Sequence, residues 1–145
     1  MISNTDYRAY ATHLRNDHQA IQEAAHSILQ HVAAGEQALA VQELQHFRQM
    51  LEQHFREEEQ GGCLEEAVAR SPYLGEECQR LEKEHPALLH RYDAILHRAR
   101  MPFAGNLAFL EEFREFVTLL VAHEAAEDRV LQHGFQEATA PEDLA

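Results

Sequence analysis

Residues 44–58 read LQHFRQMLEQHFREE, and their periodicity decides the fold. Leu44, Phe47 and Leu51 recur at alternating three- and four-residue steps, the spacing of one face of an α-helix. The same steps then land on His54 and Glu58, where a packed interior asks for Leu or Ile. An apolar face that turns polar midway has to bury those polar groups or end, and no turn residue falls there.

Three further segments repeat the pattern. The first carries Tyr7, Ala11, Leu14, His18, Ile21, Ala25, Ile28 and Val32. The third carries Leu74, Cys78, Leu81, His85, Leu88, Tyr92, Ile95 and Ala99, and the last Phe109, Phe113, Phe116, Leu120, His123, Glu127 and Val130. Turn signals separate them at Gly35, Ser71-Pro72, Met101-Pro102 with Gly105-Asn106, and Gly134. Long periodic segments with short connections predict an all-α, up-down-up-down antiparallel four-helix bundle over residues 1–134, with 135–145 as a frayed acidic tail.

At 145 residues the chain makes one domain, and 25 Asp and Glu against 12 Lys and Arg leave a net charge of −13. Such a surface repels phosphate backbones and anionic lipid, which argues against nucleic-acid and membrane partners. No apolar run approaches the roughly 20 residues of a membrane span. The N-terminal stretch lacks an apolar secretory core, so a cytoplasmic location is expected. Cys63 and Cys78 are too few and too isolated for a disulfide framework or a thiolate metal site and read as small buried hydrophobes.

Each helical stripe is interrupted by one histidine: His18, His54, His85 and His123. His18 lies 17 residues before Gly35 and His54 19 after it. From Ser71 the distances are 17 back to His54 and 14 forward to His85; from Phe103 they are 18 back to His85 and 20 forward to His123. At about 1.5 Å per residue these mismatches amount to about 3 to 5 Å, so the four imidazoles share one layer. Glu58 and Glu127, each four residues after a histidine, join it. A buried carboxylate without a partner costs several kcal/mol, and no Lys or Arg stands on the seam there; bound cations offset that cost directly.

Four imidazoles and two carboxylates suffice for two ions, each with two histidines and two bridging carboxylates. A bridging oxo or hydroxo group then leaves one position open on each. Imidazole with carboxylate favours iron or manganese, with zinc less favoured because it prefers a closed four-ligand site.

The combination of His18, His54-Phe-Arg-Glu-Glu58, Glu84-His85 and His123-Glu-Ala-Ala-Glu127-Asp128 resembles the hemerythrin-like, or HHE cation-binding, family over about residues 5–134. The resemblance implies a non-haem di-iron centre held by His18, His54, Glu58, His85, His123 and Glu127, with O2, NO or peroxide as the small-molecule partner. Two departures bear on use. Oxygen-carrying members have a fifth histidine four residues after the third-helix histidine, where this chain has Leu89; His90 falls about 140° round the helix from His85. Carriers also place an aspartate five residues after the fourth-helix histidine; here both Glu127 and Asp128 are available, and Glu127 is preferred because it mirrors Glu58. The resemblance therefore implies binding or sensing of O2 or NO, or iron handling, with a di-iron oxidoreductase as the alternative.

Smaller features carry paired expectations. Gly61-Gly62 marks either a helix break or a pocket beside the site. Pro86 predicts a kink next to His85, and Tyr92 serves either core packing or redox and proton transfer. The charge runs read as solvated faces, Glu58 excepted. The seven off-seam histidines read as exposed, with some available to orient the buried ones.

Overall fold

The computed structural model describes residues 3–100 and 106–138. Four long helices pack antiparallel, as the periodicity predicts: α1 (Asn4–Ala33), α2 (Gln37–Gly61), α4 (Gly75–Ala99) and α5 (Asn106–Ala138). A short helix, α3 (Cys63–Arg70), and a single 3-10 turn (Pro72–Leu74) lie between α2 and α4. No strand occurs among the described residues.

Local chemistry sets the ends. Ser3 Oγ accepts from the Asp6 amide at 3.1 Å and starts α1. Gly35 at φ 77° and Gly62 at φ 76° adopt the left-handed conformation that terminates α1 and α2. The break expected at Gly61-Gly62 is therefore present, and it releases the chain into α3. The turn at Ser71-Pro72 also falls as expected, whereas residues 101–105 lie outside the described residues. Helix α4 runs on through Pro86.

Two expectations at glycines need correction. Gly134 does not end α5, which continues to Ala138. A Cβ at Gly134 would lie 2.5 Å from the Tyr7 hydroxyl and 2.8 Å from the Ala67 Cβ, so this glycine lets α1 and α3 close onto α5. At Gly61 the space of a side chain is taken by the Tyr10 ring, whose hydroxyl donates to the Glu57 carbonyl. Its missing side chain admits Tyr10 and leaves no channel. Residues 139–145, the larger part of the expected tail, lie outside the described residues.

The interior divides into two apolar clusters. One, toward Gly35, contains Ile21, Ile28, Phe47, Leu51, Tyr92, Phe113, Phe116 and Leu120. The other, at the opposite end, contains Tyr7, Leu14, Leu64, Leu81, Val130 and Leu131. On α1, α4 and α5 the histidine of the stripe falls between the two, and on α2 His54 and Glu58 stand between the first cluster and the chain's exit into α3.

Candidate metal centre

All six residues singled out from the sequence are brought together at that boundary. His18, His54, Glu58, His85, His123 and Glu127 are each at most 3% exposed. They form two groups, His18, His54, Glu58 and Glu127, and Glu58, His85, His123 and Glu127, with ligand atoms within 4.8 Å of one another in each. The groups share both carboxylates. Ring centroids of His18 and His54 are 4.8 Å apart, and those of His85 and His123 5.0 Å. These two buried groups can each hold a metal ion.

Every imidazole points the same way round. Nδ1 of His18 lies 3.1 Å from Asp128 Oδ1, that of His54 3.2 Å from Asp17 Oδ2, that of His85 2.9 Å from Glu59 Oε1, and that of His123 2.7 Å from Glu84 Oε1. An ionised carboxylate only accepts, so each Nδ1–H donates outward and each Nε2 faces inward, open to a cation once it gives up its proton. This is the carboxylate–histidine arrangement that fixes a metal ligand's tautomer and orientation. The four outer carboxylates close a ring, since each belongs to the helix neighbouring that of its histidine.

Inside the ring polar atoms accumulate with few aligned hydrogen bonds between them. His54 Nε2 is 3.0 Å from Glu58 Oε1, His18 Nε2 3.4 Å from Glu127 Oε1, and His85 and His123 Nε2 each 3.2 Å from Glu127 Oε2. Of these only His85 to Glu127 is aligned as a hydrogen bond. Among the described residues eight buried side-chain nitrogen and oxygen atoms lack a hydrogen-bond partner, and seven belong here: Nε2 of His18, His54 and His123, both oxygens of Glu58, Oε2 of Glu124 and Oε1 of Glu127. Native interiors rarely leave such groups unsatisfied, and here they converge on one small volume.

The electrostatics express the same surplus. Burial opposes charge on His18, yet Asp128, Glu127 and Glu124 outweigh it and push its pKa up to about 10. For His123, burial is likewise outweighed by Glu127 and Glu84, and its pKa rises to about 9. Burial, reinforced by Glu127, pushes Glu58 up to about 8. Burial opposes the charge of Glu127 as well, but the proton donors Glu58, His123, His18 and His85 around it hold it well below the usual carboxylate range. Without cations, protons must balance these acids, and they are the protons a divalent ion would displace.

Glu127 and Asp128 take different places. Glu127 points into the centre as the counterpart of Glu58, while Asp128 stands outside and holds His18. His90 is exposed and Leu89 packs against the apolar core, so neither adds a fifth imidazole. Tyr92 donates to the Leu44 carbonyl and packs beside Phe47 and Phe116 in the apolar cluster; it is a core residue. Cys78 is a buried free thiol, its pKa pushed up to about 11 by burial and by Glu82, Glu77 and Glu127.

Several functional groups escape a reading of seam positions alone. Of the outer ring, Glu59 sits in a run that reads as a solvated face, Asp17 and Glu84 stand beside the seam, and Asp128 reads only as the alternative to Glu127. Off-seam histidines do not orient the buried ones. Six of them are exposed, His31 is half-buried, and only His13 comes near, 3.5 Å from Asp17. Glu124 was missed as well, although it is 1% exposed. The available signal was a second row at the same steps, Val117, Leu120, Glu124, Glu127 and Leu131, in which Glu124 replaces a hydrophobe.

An open cavity of about 520 Å³ lies beside the centre, lined by Glu58, Glu59, Glu65, Cys78 and Glu82 among others, and it brings solvent to the edge of Glu58. It lies against α2, α3 and α4. Among the described residues no helix is long and apolar enough to cross a membrane. No family model, no curated protein and no solved structure matches this chain. The fold and site thus define a four-helix bundle whose interior carries two adjoining His/Glu groups able to hold metal ions.

Proposed function

We propose that this chain is a hemerythrin-like, non-haem di-iron protein that binds or senses O2 or NO, or handles iron. The observation that carries the reading is the convergence of inward-facing Nε2 atoms and two shared carboxylates on one volume where seven buried polar atoms have no hydrogen-bond partner. Two groups that share Glu58 and Glu127 would hold a pair of ions with both carboxylates in common. Each ion would take two imidazole nitrogens and two carboxylate oxygens, a donor set suited to iron or manganese. Zinc fits less well because it prefers a closed tetrahedral shell.

A pair of iron ions supplies reversible redox chemistry and a coordination position for a small ligand. The chain's own residues supply the rest. Asp17, Glu59, Glu84 and Asp128 hold the four rings in the ligating orientation. The apolar clusters on either side exclude bulk water, and the cavity at Glu58 leaves room for a diatomic molecule or peroxide to approach. Reducing the iron-loaded protein without air and then cycling O2 in and out tests the reading. A visible absorption change that appears and reverses supports reversible binding, and irreversible oxidation contradicts O2 storage.

The oxidoreductase alternative draws on that open cavity and on Leu89 standing where a carrier's fifth histidine would be. It predicts steady consumption of H2O2 or NO by the iron form, abolished in Glu58→Ala. Turnover no faster than that of free iron contradicts it.

A further inference from the structure

The two halves of the centre are related by an approximate internal two-fold. His85 follows His18 and Glu84 follows Asp17 by 67 residues; His123, Glu127 and Asp128 follow His54, Glu58 and Glu59 by 69. The contacts obey the same relation. His18 on α1 uses Asp128 on α5, as His85 on α4 uses Glu59 on α2. His54 on α2 uses Asp17 on α1, as His123 on α5 uses Glu84 on α4.

One buried position breaks the symmetry. Glu124 follows Phe55 by the same 69 residues. Phe55 lies flat on His85, with ring centroids 4.2 Å apart and planes 8° from parallel. Beside His18, the equivalent place is taken by the Glu124 carboxylate, with Oε2 3.9 Å from His18 Nε2. Its Oε1 accepts a long hydrogen bond from Gln22 Nε2 at 3.5 Å, while its buried Oε2 has no hydrogen-bond partner. An apolar ring satisfies this kind of position in one half. A carboxylate in the other adds a buried acid whose charge a bound cation would offset.

We infer that Glu124 is a third carboxylate ligand, serving only the cation held by His18 and His54, so that the two cation positions are unlike. One has the two shared carboxylates and Glu124. The other has the two shared carboxylates alone and lies beside Phe55. The additional hard, anionic oxygen makes the His18/His54 position the tighter one and the first to fill. This rests on the two-cation reading above.

Calorimetric titration of the metal-free full chain with Mn2+ tests it. The wild type should bind two cations in two resolved steps. Glu124→Gln, which keeps the side chain's shape and removes its charge, should weaken the first step about tenfold or more and leave the second unchanged. Glu124→Asp, with the carboxylate drawn back by one methylene, should act in the same direction but less. Two cations bound at equal strength, or a first step indifferent to both substitutions, overturns the inference and leaves the two-cation centre standing. Fewer than two cations bound by the wild type overturns the centre itself.

Discussion

The interior from Phe47 to Phe116 and the layer around His18 are built by the same three- and four-residue rows on the same four helices. The first satisfies itself. Phe47, Tyr92, Phe113 and Phe116 pack ring against ring, and the one buried hydroxyl, on Tyr92, donates to the Leu44 carbonyl. The second does not: its donors and acceptors outnumber the hydrogen bonds they make, although every nitrogen facing outward has a partner. The difference teaches that a bundle can complete its apolar layers from its own side chains, whereas this polar layer is left with groups able to hold metal ions.

The largest effect should come from breaking the self-sufficient region. Phe116→Ala should cost about 3–5 kcal/mol, and the loss measured by denaturant unfolding should be the same with and without chelator. In the polar layer the response should instead depend on cations. Removing them from the wild type should lower stability by about 3 kcal/mol for each cation lost when free metal stood at a hundred times its dissociation constant. His54→Ala and His123→Ala should lose metal content and that chelator response together. A chelator effect as large in these variants as in the wild type would contradict the coupling.

Glu58→Met with Glu127→Met sharpens the comparison by making the polar layer more like its apolar neighbour. Metal-free, the double variant should gain about 1–4 kcal/mol over the metal-free wild type, because two buried carboxyl groups, that of Glu127 ionised, are replaced by apolar groups of similar volume. A loss in denaturant unfolding would count against the surplus of charge described here. Asp128→Asn is expected to do less, weakening cation binding about 10–100-fold through the orientation of His18. Direct titration reads that change.

The pH dependence should separate the two forms. In the metal-free protein His18 and His123 titrate at about 10 and about 9, above their ordinary 6.5, and Glu58 at about 8, above 4.5. All three bind protons more tightly in the folded state. Their stabilisation is present at low pH, is lost for Glu58 between pH 4.5 and 8, and is lost for the histidines as pH rises from 6.5 through 9 and 10. Metal-free protein should therefore melt lower at pH 9 than at pH 6. Cation affinity should rise over the same range, because binding displaces those protons. Melting curves with and without chelator at the two pH values check both signs.

The fold and the six central residues were legible because both are periodic: a step of three or four residues fixes a face, and equal distances from a turn fix a height. What escaped depends on contacts between helices. Gly134 looks like a helix end, and only the approach of Tyr7 and Ala67 reveals a helix interior cleared for close packing. Asp17, Glu59, Glu84 and Asp128 lie beside the seam at half-exposed positions, and their role appears only when the neighbouring helix presents a histidine. Glu124 was readable as a hydrophobe replaced in a second row, but its significance needed Phe55 in the matching place across the pseudo-two-fold.

The central claim is that a pair of cations occupies the polar layer. Metal analysis of protein expressed in iron-supplemented cells and purified without nickel affinity tests it most directly. About two metal ions per chain, mainly iron, are expected, falling to about one or fewer in His54→Ala. One metal or less per chain in the wild type would contradict it.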